Sequence, residues 1–137
     1  MVKHSDILLD DVNRKVNEIG HADILIGIPS YNNASTIGHV VKAVQTGLLK
    51  YFPDKRSILA NSDGGSIDDT INIVKESGID LNSILIHRYE ENLFKISTPY
   101  QGIPGKGSAF RTIFEIARVL NVKACAVVDS DLRSITP

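Results

Sequence analysis

Two aspartates flank a serine at Asp129-Ser130-Asp131, directly after the apolar run Ala124-Cys125-Ala126-Val127-Val128. Side chains at i and i+2 on a strand end point the same way. Two carboxylates held together repel unless a cation sits between them. A hard divalent cation with oxygen ligands answers that need, and such an ion can neutralise a diphosphate leaving group. A solvated acidic turn uses the same residues. Asp63-Gly64-Gly65-Ser66 forms a second group. Its glycines permit positive φ and close backbone approach to a ligand. Asp63 could accept a hydrogen bond from a nucleobase, and a helix opening near Ser66 offers free N–H groups to an anion. A plain turn with an N-capping serine is the alternative. Gly105-Lys106-Gly107 is the third group. A lysine between glycines at a helix start suits phosphate contact, as it also suits a loop end with a solvated lysine. It is no Walker loop, because Gly107 stands where Ser or Thr is required.

Other chemistries lack their residues. No G-x-G-x-x-G follows the first apolar run, which disfavours a dinucleotide site of that kind. His4, His21, His39 and His87 show no metal-ligand spacing, and His87 reads as structural or exposed. No Ser–His–Asp or Cys–His arrangement can be argued. Cys125 lies in mid-strand and reads as a small buried apolar residue. As the single cysteine, it excludes an internal disulfide and fits a reducing compartment. Lys and Arg number 15 against 16 Asp and Glu, without a basic cluster, so no nucleic-acid partner is expected. No apolar stretch approaches the roughly 18–20 residues of a membrane span. Met1 to Asp11 is mixed and acidic, unlike a signal peptide. A cytoplasmic domain is the expectation.

These groups need a scaffold, and the 137 residues suffice for one domain with a real core. Leu8, Val12, Val16 and Ile19 share one helical face, which predicts a helix over Ser5–Ile19 with Ser5 as cap and Gly20 as stop. This gives an N-terminal helix over residues 1–22, ahead of a nucleotide-binding unit over 23–137. Ile24–Ile28 reads as a central strand closed by Pro29. A helix follows over Ser35–Lys50, then a strand over Ser57–Ala60 and a polar turn over Asn61–Gly65. Ser66 and Asp69 resemble a capping box for a third helix with Ile67, Ile71 and Val74 inward and Gly78 as stop. Ser83–His87 reads as the third strand and Arg88–Gly105 as a long polar connection, functional or mobile. Ser108–Leu120 is helical with Ala109, Ile113, Ile116 and Leu120 inward, and Ala124–Val128 is the fourth strand. The alternation implies an α/β fold, a Rossmann-like parallel sheet. Ligands in such sheets bind beyond the carboxyl ends of the strands, where all the polar groups above except the lysine loop fall.

Taken in order, the motifs resemble the N-terminal, nucleotide-binding half of a GT-A glycosyltransferase of the family-2 type. Ile28-Pro29-Ser30-Tyr31-Asn32-Asn33 is similar to that family's Pro-x-Tyr-Asn-Glu opening, and Asp63 to Thr70 resembles its Asp-x-Gly-Ser-x-Asp-x-Thr turn. Pro104 to Ala109 and Val128 to Leu132 are most similar to the glucosyl-3-phosphoglycerate synthase branch. The resemblance spans about Ile24 to Pro137. It implies a metal-dependent enzyme moving a sugar from a nucleotide-sugar donor, UDP-glucose first, to a small acceptor such as 3-phosphoglycerate. It implies Mg2+ or Mn2+ as cofactor. Carried over by position, Pro29 and Tyr31 line the nucleoside pocket and Asp63 touches the base. Lys106 lies near the base or diphosphate, Asp129 lies near the ribose and the metal, and Asp131 coordinates the metal.

Asn33 stands where the family often has Glu, and Gly64 where Asp or Ser is frequent. Each removes a side-chain contact from the implied donor site and leaves the base open. The chain ends at Pro137, whereas the family's acceptor site, base and remaining metal ligand come later. A fragment that binds nucleotide weakly without turnover is therefore expected, with part of the fourth strand uncovered and self-association to follow. The competing readings are a non-catalytic nucleotide-sugar-binding module and a nucleotidyltransferase-like protein. The latter usually carries a glycine-rich loop with arginine after the first strand, where this chain has Pro29-Ser30-Tyr31.

Overall fold

The structure is a computed structural model that describes residues 4–77, 92–99 and 106–136, with the backbone alone at 106 and 107. Its elements in chain order are α1 (Asp10–Ile19), β1 (Ile24–Ser30), α2 (Ile37–Tyr51), β2 (Ser57–Asp63), α3 (Thr70–Glu76), β3 (Leu93–Thr98), α4 (Lys106–Val119) and β4 (Ala124–Val127). The strands form one parallel sheet in the order β3-β2-β1-β4. This is the α/β parallel sheet that the alternation of apolar runs and helical stripes predicts.

Helices cover both faces. Leu25 and Ile58 point to the side of α1 and α4, where they meet Val12, Val16, Ile113, Ile116 and Leu120. Ile28 and Leu59 point to the other side and meet Val40 and Val41 of α2 and Val74 of α3. Each such fully buried side chain contributes about 1.5–3 kcal/mol by leaving water. All seven residues of β2 are buried, as a central parallel strand requires. Leu8, Val12 and Val16 belong to the same core as the sheet, so α1 packs as one layer of the domain. At Gly27 a Cβ would lie 2.4 Å from Ile113 Cγ2, so only glycine lets α4 sit this close to β1.

Several boundaries differ from expectation. The first helix begins at Asp10, because Ser5 is engaged elsewhere: Asn13 Nδ2 donates to the Ser5 and Leu8 carbonyls, and Asn13 Oδ1 accepts from Ser5 N. β1 runs through Pro29 to Ser30. The Gly27 carbonyl accepts from Val128 N, so Pro29, two residues on, faces the β4 side beyond the last paired residue. Its missing N–H therefore breaks no ladder bond. β2 extends through Asn61, Ser62 and Asp63, three polar residues read as a turn but buried and paired to β1. α3 starts at Thr70 without a side-chain cap, and Ile67 is 92% exposed rather than inward.

The Arg88–Gly105 stretch, read as a connection, contains β3. Lys95 and Ser97 break its apolar pattern, yet both are satisfied: Lys95 Nζ donates to the Val74, Lys75 and Ser77 carbonyls, closing the end of α3. The predicted strand Ser83–His87 and the stop at Gly78 lie outside the described residues. Cys125 is exposed rather than buried, because β4 is an edge strand among the described residues. Among the described residues, no helix is long and apolar enough to cross a membrane.

Candidate functional site

The chain steps from β1 to β2 to β3 in one direction, then returns to place β4 on the other side of β1. The crevice at such a reversal, beyond the carboxyl ends of the strands, is where open parallel sheets bind ligands. Residues 31–36 leave β1 at this point and residues 128–131 leave β4.

Ser130 joins the two segments. It is buried, and its hydroxyl donates to Asn33 Oδ1 at 2.6 Å. Its carbonyl accepts from Thr36 Oγ1 at 2.7 Å, directly before α2. Asn33 Oδ1 also accepts from Tyr31 N at 2.8 Å, which sets the turn after β1. With the serine turned in, Asp129 and Asp131 both stand in solvent. Two exposed carboxylates on an anchored loop suit a divalent ion such as Mg2+. That ion keeps waters and completes its shell from substrate phosphates. Among the described residues, no group of three His, Cys, Asp or Glu gathers to hold a metal.

The loop after β2 is built around Asp63, which is 4% exposed. Its Oδ1 accepts from the Ser30 hydroxyl at 2.9 Å and the Ser66 hydroxyl at 2.6 Å. Its Oδ2 accepts from Gly65 N and Ser66 N at 2.9 and 2.7 Å. The acceptor sites of a carboxylate number about four, and here they serve the loop and the end of β1. Gly65 adopts φ +100°, which the turn needs and other residues rarely reach. Gly64 N donates to the Ser30 carbonyl at 2.7 Å, tying the ends of β1 and β2 together. Tyr31 lies against Gly64, where a Cβ would stand 3.6 Å from its ring, and the tyrosine remains 59% exposed. Beneath them Asn61 bridges three strands. Its Nδ2 donates to the Ile28 carbonyl and the Ser30 hydroxyl, and its Oδ1 accepts from the Ser97 hydroxyl.

The β1 and β2 loops are also laced directly. Asn32 N donates to Ser66 Oγ and Ile67 N donates to Asn32 Oδ1, with Asn32 in the left-handed region at φ 51°. Asn33 N donates to Thr70 Oγ1, and Ala34 N donates to Asp68 Oδ2. Asp68 Oδ1 accepts from both the hydroxyl and the N–H of Thr70. The Thr70 hydroxyl is the main reason the Asp68 carboxyl titrates below its usual range.

The structure thus gathers Tyr31, Asn33, Gly64, Asp129 and Asp131 around one crevice or its rim, with Asp63 buried beneath. Pro29 is buried in β1, at the floor. Lys106 is the first residue of α4, and the direction of its side chain lies outside what is described, as does Gly105. Ser30, Asn61, Ser66, Asp68, Thr70 and Ser130 hold the loops; Ser66 is legible as a cap, and Asp68 and Thr70 belong to the family-like turn without a role the sequence assigns them. The available signal was small hydroxyl and amide residues packed between carboxylates and strand ends, where backbone groups need partners. No protein-family model matches the chain, and no curated protein matches it.

Proposed function

We propose that the crevice binds a nucleotide-sugar donor, with Mg2+ or Mn2+, for glycosyl transfer to a small acceptor. One observation carries this reading. The Ser130–Asn33 hydrogen bond fixes an exposed Asp-x-Asp pair beside the β1 loop at the reversal of strand order. The four sequence motifs that resemble family-2 glycosyltransferases support the donor class, with UDP-glucose first and 3-phosphoglycerate as the first acceptor.

In this reading Tyr31 and the Gly64 backbone receive the nucleoside, and an aromatic ring beside an open peptide suits a planar base. Asp63 acts by shaping the loop, with three bonds inside it and one to Ser30 of β1. Asn33 holds Ser130 and Tyr31 with one oxygen. Asp129 and Asp131 would hold the metal, and Asp129 would also reach the ribose. The metal supplies charge neutralisation for the departing diphosphate. In the transfer an acceptor oxygen bonds to the anomeric carbon, the bond from that carbon to the diphosphate breaks, and the acceptor proton passes to solvent or a base. Lys106, at the start of α4, would add positive charge on the phosphate side.

Calorimetric titration with UDP-glucose, with and without Mn2+, tests the reading. Metal-dependent heat that Asp131→Ala removes is expected. Absence of binding in both conditions, followed by absence with a GDP-sugar, would overturn it. Coupled detection of UDP release with 3-phosphoglycerate then separates an enzyme from a donor-binding module.

A further inference from the structure

The segment that follows β4 is held to the start of α2 at two points. The Ser130 carbonyl accepts from Thr36 Oγ1 at 2.7 Å, and the Ile135 carbonyl lies 2.8 Å from His39 Nε2. A carbonyl only accepts, so the second bond requires the ring to carry a hydrogen on Nε2, which the neutral ring and the imidazolium can both supply. Thr36 stands directly before α2 and His39 in its first turn, three residues on, so the two share one face of the helix. Apolar packing reinforces both holds. Val128 and Ile135 pack against the core of Ile28, Ile37, Val40 and Val41.

The spacing of the holds shapes the chain between them. Side chains three apart on a helix stand about 5–6 Å from each other. The stretch from Ser130 to Ile135 could reach roughly 17 Å if extended. Residues 131–134 therefore bow away from α2, and all four are exposed. Asp131 is the first residue of this arch. Ser130 fixes it from one side, through Asn33 and Thr36. From the other side the hold is His39, which touches the chain four residues beyond Asp131. We propose that His39 is a positioning residue for Asp131: through the Ile135 carbonyl it closes the arch and limits the places the carboxylate can take. The inference rests on the reading of Asp131 as a metal ligand. A ligand residue that is ordered only on binding loses conformational entropy at that moment, and an arch fixed at both ends has less to lose. His39 is itself exposed, so its bond competes with water and bears on the arch more than on the fold.

Mn2+ binding to the full chain without nucleotide, read from the paramagnetic resonance of the free ion, tests this. His39→Ala should weaken binding about tenfold, the lower end of what groups that support metal ligands are worth. His39→Gln, whose side-chain amide can donate from a similar position, should recover most of the loss. Lys42→Ala, on the exposed side of α2, should leave binding unchanged. Circular dichroism checks that the variants stay folded. Amide 15N relaxation without metal gives a second reading: in His39→Ala the order parameters of residues 131–134 should fall while those of β1 hold. Mn2+ affinity that His39→Ala leaves unchanged overturns the proposal, even if the arch loosens. So does a loss that His39→Gln fails to recover. A parent chain that takes up no Mn2+ removes the metal reading and this inference with it, whereas uptake indifferent to His39 removes the inference alone.

Discussion

The hydroxyl of Ser130 donates to Asn33 Oδ1 at 2.6 Å, linking residues 97 positions apart. Through this bond the ends of β1 and β4 become one rim, and two carboxylates on either side of the serine face solvent together. Ser130→Ala should lower stability by about 1 kcal/mol, the usual net worth of one internal hydrogen bond. It should also weaken Mn2+ binding several-fold while both aspartates remain. Urea unfolding paired with a Mn2+ titration checks this. Unchanged metal affinity would mean the anchor is irrelevant to the carboxylate pair.

The contact of α4 with β1 depends on Gly27. Gly27→Ala places a methyl 2.4 Å from Ile113 Cγ2, and overpacking of this kind costs about 1–3 kcal/mol. Ile113→Ala, which removes that Cγ2, should cost less in the Gly27→Ala background than alone. A double-mutant cycle by chemical denaturation reads the coupling, and additive effects would place the strain elsewhere.

Apolar periodicity made most of the scaffold legible. Ile24–Ile28 is β1 but for its last two residues, and the inward stripe Ala109, Ile113, Ile116 and Leu120 is buried as read. What escaped was polar residues with structural partners. Asn61, Ser62 and Asp63 look like a turn by composition, yet each is buried. β3 was missed because Lys95 interrupts it, and only the fold reveals that the amine finds three carbonyls at the end of α3. Asp129, Asp131 and Tyr31, singled out from the sequence, all stand exposed at the ends of β4 and β1. The role of Ser130 was not legible, because its partners come from distant chain.

Lys95 yields a further prediction. Burial, with the like charge of Lys15 added, holds its amine below the usual lysine range. The unfolded chain therefore binds this proton more tightly, and stability should rise slightly as pH climbs toward the ordinary lysine value. Lys95→Met removes that desolvation but strips the α3 carbonyls of their donor. The lost bonds should prevail, with a net destabilisation of about 1–2 kcal/mol. Hydrogen exchange should then accelerate in α3 before the rest of the chain.

Asp68 clamps the β1 loop to the β2 loop through Ala34 N and Thr70. Because its folded pKa is lowered, its contribution is present above the unfolded value of about 3.9. It is lost as pH falls through the folded one. Asp68→Asn should reduce the pH dependence of the thermal midpoint in this acid range and leave the neutral fold intact. An acid limb identical to that of the parent would show that the clamp contributes nothing.

The crevice between the ends of β1 and β4 is the centre of this account. Its direct test is a two-dimensional amide NMR titration of the full chain with UDP-glucose and Mg2+. Donor binding in the crevice should give metal-dependent shifts at Tyr31–Asn33, Gly64–Ser66 and Ser130–Leu132, with far smaller changes along α1. Shifts clustered elsewhere, or none at saturating donor, would contradict it.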